Sequence, residues 1–294
     1  MGLLMVFSLA SIGAGTAAAA TVPSITSRPI QVIRTSDGSV SYRTDGNGPA
    51  LLLIMGYSGS QDDWVPAFVN DLAKRHRVII FDNAGIGQTT MPAGTLSISG
   101  MANQTAAFIV ALGLKHPDVL GWSMGGMIAQ ALAVLHPADV HRLVLSATYS
   151  GNGKATSPSP ANAAALVNAA RTGDTAAIMA LIFPANQLAT QQAAYIRGVS
   201  GYPGFYQAPE ALAVAQHAAI SSWAVGAVAA GHGHISVPTL IGDGADDLMT
   251  PPANVHKMVQ EIRGARSEIY PDAGHGFLFQ DASAWAARIN AFLN

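Results

Sequence analysis

The sequence contains no cysteine, carries little charge and has no excess of basic residues. Without cysteine, the 294-residue chain can form no disulfide framework, Cys-ligated metal centre or catalytic thiol. Lys and Arg number 15 against 17 Asp and Glu, so the formal net charge is −2 and we expect no nucleic-acid partner. Charged residues make up 11% of the chain and hydrophobic residues 50%, which is the reverse of a disordered composition. We therefore expect a well-formed core in one large domain or two small ones.

The first 20 residues have the pattern of an export signal. Residues 3–20 are apolar or small and uncharged, and the alanines at 17–20 offer an A-x-A cleavage site before Thr21. The basic residues that usually precede such a segment are missing, and the alternative is an uncleaved membrane anchor. The sequence predicts cleavage, no stable membrane span afterwards, and a secreted or periplasmic mature protein.

Short apolar runs alternate with segments of helical spacing over much of the remaining chain. Residues 50–55, for example, are continuously apolar over a strand's length, which is typical of a strand buried on both faces of a parallel sheet. We predict further strands at 77–81, 118–122 and 142–146, and helices at 62–74, 97–114 and 124–135. This alternation predicts an α/β fold with a mostly parallel central sheet flanked by helices.

The alternation is interrupted over residues 148–235. After a loop rich in Gly, Ser and Pro at 151–161, the interruption contains Ala-rich segments that predict helices at 162–170, 175–182, 187–199 and 209–229. The alternation resumes with strands at 237–242 and 267–270 and helices at 254–263 and 282–292. We therefore predict a signal at 1–20, a core built from 21–147 and 236–294, and an inserted, mobile helical cap at 148–235 that sets substrate choice.

A G-x-S-x-G motif occupies residues 121–125, between a predicted strand and a predicted helix. Glycines on both sides of Ser123 permit a sharp turn, which exposes the serine hydroxyl above the sheet at a helix N-terminus. The free N–H groups and the dipole of that helix favour negative charge there. Since the motif alone is weak, its position between a strand and a helix carries the interpretation of Ser123 as a nucleophile.

Three aspartates and one histidine follow in the second part of the core. Asp243, Asp246 and Asp247 come after a predicted strand, and each is a candidate to orient a catalytic histidine; at least two should be ordinary solvated loop acids. His275 lies between two glycines and is the candidate general base. His232 and His234 form an H-x-H pair, but with no third ligand nearby we expect no metal site.

Taken together, these motifs resemble the α/β-hydrolase family from about Gln31 to the C-terminus. The chain order Ser123, Asp247, His275 is that of the family, and Asp247 occupies the acid position of its G-x-x-D-x-x-x-P segment. Residues 54–59 resemble the family's oxyanion loop, although Met55-Gly56 replaces the usual H-G. Residues 81–87 resemble its D-x-R-G-x-G turn, although Ala84 stands where arginine is usual.

The resemblance implies a serine hydrolase that needs no cofactor and acts on a small-molecule ester. Ser123 would attack the carbonyl, His275 would take its proton, and Asp247 would orient the imidazole. The backbone N–H groups of Tyr57 and Met124 would form the oxyanion hole. Apart from the resemblance, two aromatic residues, Trp122 and Phe277, are candidates to line an apolar substrate pocket, with plain core packing as the alternative for each.

Other functions remain open on the same residues. A perhydrolase, a C–C bond hydrolase, a lactonase and an acyltransferase share this triad with esterases, and a non-catalytic ligand-binding receptor can keep it. An aspartate nucleophile is required by epoxide hydrolases and haloalkane dehalogenases, so Ser123 disfavours both. The sequence leaves the oligomeric state and the physiological substrate undetermined.

Overall fold

A computed structural model describes residues 24–204, 206–226 and 235–294. Eight strands form one sheet in the order β1-β2-β4-β3-β5-β6-β7-β8, in which β2 pairs antiparallel with β1 and β4 and every other pair is parallel. The strands are β1 (Gln31–Thr35), β2 (Gly38–Asp45), β3 (Ala50–Ile54), β4 (Arg77–Phe81), β5 (Asp118–Trp122), β6 (Leu143–Ser146), β7 (Thr239–Gly244) and β8 (Arg266–Tyr270). The predicted fold class is confirmed. The expected export signal and the His232–His234 pair lie outside the described residues.

Helices follow the strands in the predicted order. They are α1 (Pro66–Ala73), α2 (Ile98–Ala111), α3 (Met124–Leu135), α4 (Pro160–Thr172), α5 (Thr175–Ile182), α6 (Leu188–Val199), α7 (Glu210–Ala224), α8 (Ala253–Glu261), α9 (Phe277–Gln280) and α10 (Ala282–Leu293). The predicted helix at 62–74 begins later, at Pro66, because proline is favoured in the first turn and a separate 3-10 turn occupies Gln61–Asp63. The helix predicted at 209–229 ends at Ala224.

The sheet is buried on both faces, as the apolar run at 50–55 predicts. Leu52 and Ile54 of β3 point into the core beneath α2, α3 and α8, whereas Leu51 and Leu53 point into the core beneath α1 and α10. All four side chains are fully buried, and each such burial stabilises the fold by about 1.5–3 kcal/mol.

The strand predicted at 237–242 lies two residues further along the chain. β7 spans Thr239–Gly244 because its parallel partner β8 pairs with it as far as Gly244 and Tyr270. Asp243 therefore belongs to a buried strand and not to a loop. The acidic segment that follows therefore lies at the carboxyl edge of the sheet, the edge at which β5 also ends, with β6 between the two strands.

Helices α4–α7 lie between β6 and β7 in the chain and contact two loops at that edge, the one between β3 and α1 and the one between β8 and α9. The Tyr57 hydroxyl donates to the Ala213 carbonyl of α7 at 3.0 Å. The Tyr195 hydroxyl of α6 donates to the Asp63 carbonyl at 3.2 Å, and the Gly276 N–H donates to the Ile182 carbonyl of α5 at 2.8 Å. The inserted helices thus cover the edge of the sheet that carries Ser123. None of the helices in the described ranges has the length and apolar character needed to cross a membrane.

Candidate active site

Ser123 is held in a strained turn between β5 and α3. Its φ of 56° and ψ of −121° lie in a region that non-glycine residues rarely adopt, and such strain persists only where the surroundings enforce it. The neighbouring glycines permit the turn. A Cβ at Gly121 would lie 2.2 Å from the Gly125 carbonyl oxygen, and one at Gly125 would lie 2.0 Å from that of Ile54. No larger residue fits at either position without a backbone shift.

Ser123, His275 and Asp247 form one hydrogen-bonded chain. His275 Nε2 lies 2.9 Å from Ser123 Oγ, and His275 Nδ1 lies 2.7 Å from Asp247 Oδ2. With Asp247 ionised, Nδ1 carries the proton and donates to the carboxylate, which leaves Nε2 as an acceptor for the serine hydroxyl. The side chains of His275 and Asp247 are 5% and 0% exposed, so the hydrogen bond between them is shielded from solvent.

The Asp247 carboxylate is fixed by donors of the loop that follows it. Oδ1 accepts the N–H groups of Met249 at 2.6 Å and Thr250 at 2.8 Å, and Oδ2 accepts the Thr250 hydroxyl at 2.8 Å. Burial acts to raise the pKa of Asp247. The charge of His275, and the hydrogen bonds that the carboxylate accepts from His275 and from the Thr250 N–H, outweigh the burial effect and lower the pKa of Asp247 to about 2. Asp247 is therefore ionised at neutral pH.

The other two candidate acids have different surroundings. Asp246 is exposed, as expected of a solvated loop acid. Asp243 is fully buried in β7, and the expectation that at least two of the three acids are solvated is wrong for this reason. Asp243 Oδ1 accepts the Gly244 N–H at 2.8 Å. Burial, and then the neighbouring carboxylate of Asp247, raise the pKa of Asp243 well above its usual range, so Asp243 keeps its proton.

The loop after β3 passes directly beside Ser123. A Cβ at Gly56 would lie 3.2 Å from the Cβ of Ser123, so only glycine permits this approach without displacing a neighbour. Met124 is the first residue of α3, so its N–H has no carbonyl partner in its own helix. The N–H groups of Tyr57 and Met124 find no acceptor among the described residues. Two unpaired donors therefore flank the serine hydroxyl.

A narrow pocket of about 100 Å³ lies between this loop and the inserted helices. Tyr57, Trp122 and Asp63 contribute from the core, and α5 and α6 contribute Ile178 and Tyr195 among others. The wall is apolar and aromatic for most of its area. Burial raises the pKa of the Asp63 carboxyl to about 6, against the effect of hydrogen bonds from Ser60 and Tyr195.

The two aromatic residues expected to line the pocket have different positions. Trp122 lines it, and the Trp122 indole N–H donates to the His275 carbonyl at 3.0 Å. The expectation for Phe277 is wrong. Phe277 is fully buried in the core beneath α10, where its ring packs 5.5 Å from Trp285 and 5.3 Å from Tyr270. The Gly274 and Gly276 backbone, not the Phe277 ring, adjoins the inserted segment.

Sequence reasoning missed two amides that contact the loop after β3. Asn83 Nδ2 donates to the Met55 carbonyl at 2.8 Å, and Gln216 Oε1 accepts the Ser58 N–H at 2.8 Å. Asn83 lies inside the turn at 81–87, whose resemblance to a family motif is visible in the sequence, so the sequence contained a signal for Asn83. Gln216 lies in an Ala-rich helix with no motif around it, and only the folded chain brings it to the loop. Among the described residues, no three potential metal ligands cluster.

The comparisons with known proteins agree with this architecture. Residues 49–282 match the protein family described as the alpha/beta hydrolase fold. The putative carbamate hydrolase RutD of Caulobacter sp. (strain K31) is 26% identical over 269 residues, which cover 86% of this chain and 95% of that protein. The pimeloyl-(acyl-carrier protein) methyl ester esterase of Aeromonas hydrophila is 36% identical over 115 residues, or 37% of this chain and 42% of that protein.

Coverage differs among these similarities. With several curated relatives, including the Aeromonas esterase, the aligned part of this chain spans about two fifths of the relative's length. A solved structure, the alpha/beta hydrolase fold protein from Chitinophaga pinensis, superimposes with a TM-score of 0.81 at 24% identity over 92% of this chain and 99% of that one, which shows the shared fold. The family match covers well over half of the chain, and the chain therefore belongs to the α/β-hydrolase family.

Proposed function

We propose that this protein is a serine hydrolase that cleaves carboxylic esters with small to medium apolar acyl or aryl groups, through an acyl-enzyme. The observation that carries the proposal is the hydrogen-bonded chain from Ser123 through His275 to Asp247, with distances of 2.9 and 2.7 Å. A nucleophile bonded to a base that is itself oriented by a buried carboxylate is the arrangement that nucleophilic catalysis requires.

Acylation begins with attack of Ser123 Oγ on the ester carbonyl carbon. The serine proton passes to His275 Nε2, and the carbonyl oxygen takes the negative charge of the tetrahedral intermediate. When the intermediate collapses, the C–O bond to the leaving group breaks and His275 gives its proton to the departing oxygen. The alcohol leaves, and the acyl group remains esterified to Ser123.

Two sets of donors and acceptors stabilise the charges that form. The N–H groups of Tyr57 and Met124 bind the oxyanion, and loss of one such donor typically costs about 3 kcal/mol of transition-state stabilisation. Asp247, ionised and buried, stabilises the imidazolium form of His275 and keeps its ring oriented. A water molecule then repeats the sequence, with His275 as base, and releases the acid.

The pocket supports a neutral and compact acyl or aryl group. Its volume of about 100 Å³ suits a short chain, and Ile178, Tyr195 and Trp122 offer apolar contact. Above pH 6 the Asp63 carboxyl is mostly ionised, so it disfavours acyl groups that end in a carboxylate.

We also propose that the inserted segment at 148–235 acts as a cap that excludes water and sets substrate size. The names of two relatives mention carbamates and methyl esters. Both compounds have an acyl carbonyl bonded to a heteroatom leaving group.

The test is hydrolysis of p-nitrophenyl esters of graded chain length by the protein and by Ser123→Ala. The wild type should turn over the acetate and butyrate, and Ser123→Ala should lose at least about three orders of magnitude in kcat while its Tm changes little. A fluorophosphonate should label Ser123 alone. Equal turnover or equal labelling in Ser123→Ala would contradict the proposal. Parallel assays with lactones, and with acetate plus hydrogen peroxide, separate ester hydrolysis from lactonase and perhydrolase activity.

A further inference from the structure

Helix α7 holds the loop after β3 through two hydrogen bonds. Gln216 Oε1 accepts the Ser58 N–H at 2.8 Å, and the Ala213 carbonyl accepts the Tyr57 hydroxyl at 3.0 Å. The partners are separated by 158 and 156 residues of sequence, so both contacts exist only in the folded protein. The loop segment that carries the Tyr57 N–H is thus tied to an inserted helix and not only to the sheet.

The held segment is conformationally strained. Ser58 has a φ of 57°, in the left-handed region that is unfavourable for residues other than glycine. Such a conformation persists only where surrounding contacts enforce it. On the other side of the segment, Asn83 Nδ2 donates to the Met55 carbonyl at 2.8 Å. The Tyr57 N–H therefore lies between two side-chain amides, one from the core and one from α7.

The bond to Ser58 leaves the other half of the Gln216 amide without a partner. Gln216 is fully buried, and its Nε2 finds no acceptor within the described part of the chain. Leaving a buried donor unpaired is unfavourable, and a methionine of the same length would avoid it. Gln216 is therefore a poor choice of residue for packing alone. Within the described residues, its one side-chain hydrogen bond is the one it accepts from the Ser58 N–H.

We propose that Gln216 is a positioning residue for the oxyanion hole. By holding Ser58 in its left-handed conformation, it aims the Tyr57 N–H at the oxygen that becomes negative in the transition state; this rests on the function proposed above. The hole is then complete only while α7 is packed against the loop. Displacement of the inserted helices would remove one oxyanion donor as well as open the pocket.

The test compares three variants with p-nitrophenyl acetate. Gln216→Met keeps the side-chain length, removes the acceptor and excludes water. Gln216→Ala removes the acceptor but leaves space for a water molecule, which can accept the Ser58 N–H. Gln191→Met is the matched control, because Gln191 lies in α6 and its side-chain amide donates to Gln187 Oε1 and not to the loop after β3. For each variant, kcat, KM and Tm are measured.

The expected order of kcat opposes the expected order of stability. Gln216→Met should lose about 10- to 100-fold in kcat with KM within twofold of wild type, because a displaced donor weakens binding of the transition state more than of the substrate. Gln216→Ala should lose less in kcat. The Tm of Gln216→Met should stay close to that of wild type, because the variant loses the unpaired Nε2 donor but leaves the Ser58 N–H unpaired, whereas Gln216→Ala should have the lowest Tm because of its cavity. Gln191→Met should behave as wild type.

Two results would overturn the inference while leaving ester hydrolysis in place. One is wild-type kcat in Gln216→Met; the other is a kcat that simply follows Tm, with Gln216→Ala the least active. If Gln216→Met does not fold, Gln216→Leu, which also removes the acceptor and leaves little space for water, decides the question: kcat equal to wild type overturns the inference, and a reduced kcat at unchanged KM supports it. A wild-type protein without esterase turnover would instead overturn the proposed function.

Discussion

Helices α3 and α6 both have twelve residues but differ in how much of each is buried. Ten residues of α3 are buried, from Met124 to Ala133, whereas α6 buries Tyr195 alone. The first helix packs between the sheet and its neighbours, and the second lies over the carboxyl edge with most of its surface in solvent. Since burial of apolar surface supplies most of the stability, we expect α6 to be held less firmly than α3.

This difference separates two tasks. The core supplies Ser123, Asp247 and His275 on loops that rigid strands hold in place. The inserted helices supply pocket walls and, through Gln216, one hydrogen bond to the loop at 55–58. Substitutions in the core should therefore affect stability and chemistry, whereas substitutions in the inserted helices, apart from Gln216, should mainly affect selectivity. Four predictions test that division, from the largest expected effect to the smallest.

Asp247→Asn should reduce kcat by about 10³- to 10⁴-fold, because the amide favours the wrong tautomer of His275 and does not stabilise the imidazolium. Asp246→Asn is the matched control, since its carboxyl is exposed, and should change kcat less than twofold. Steady-state kinetics on p-nitrophenyl acetate measures both. A large loss in Asp246→Asn with a small one in Asp247→Asn would show that a different carboxylate orients His275.

Matched Ile→Ala substitutions compare the stability of the two regions directly. Ile128 of α3 is fully buried, and Ile128→Ala should lower the free energy of unfolding by about 2–5 kcal/mol. Ile178 of α5 is only partly buried, and Ile178→Ala should cost less than about 1 kcal/mol. Urea unfolding gives both values. Equal losses of unfolding free energy in the two variants would contradict the prediction, because the inserted helices would then be as firmly packed as the core.

The buried acid of β7 should make stability depend on pH. Because the pKa of Asp243 is raised in the folded state, the folded protein keeps a proton on this carboxyl that the unfolded chain loses near pH 4. The stability associated with this proton is fully present below pH 4 and is lost as pH rises towards the folded-state pKa. Asp243→Asn does not titrate, so its stability relative to wild type should increase by about 1–3 kcal/mol between pH 5 and 7.

Thermal unfolding of wild type and Asp243→Asn across that pH range measures the effect. The esterase activity of Asp243→Asn should stay close to that of wild type, since asparagine has the same shape and still carries a donor. A stability difference that does not change with pH would mean that Asp243 is already ionised at pH 5.

Enlarging a pocket wall should change substrate preference without removing activity. Ile178→Phe fills part of the space of about 100 Å³, so kcat/KM for the hexanoate ester should fall about 10-fold relative to the acetate ester. Val214→Phe is the control, because Val214 of α7 is 51% exposed and should leave the ratio unchanged. An unchanged ratio in Ile178→Phe would contradict the role of the inserted segment in substrate choice.

The strand pattern was predictable because a strand buried on both faces must be apolar throughout, as Leu51 to Ile54 are. Helix ends were less predictable. Pro66 begins α1 four residues later than expected, and β7 extends to Gly244 because its partner strand continues that far. Phe277 was misplaced because His275, two residues earlier, bonds to Ser123 while the Phe277 ring turns into the core and packs against Trp285. Side-chain direction in a short turn depends on neighbours that the local sequence does not contain.

By itself, the sequence determined the α/β layering and the requirement for glycine around Ser123. Both follow from local chemistry: apolar periodicity selects strands and helices, and a sharp turn at Gly121 and Gly125 excludes a Cβ. Only the tertiary structure decided which of the three acids stays protonated, and that Gln216 reaches Ser58 across 158 residues. These outcomes depend on distance and burial between segments far apart in the chain, and those quantities exist only once the sheet has brought the segments together.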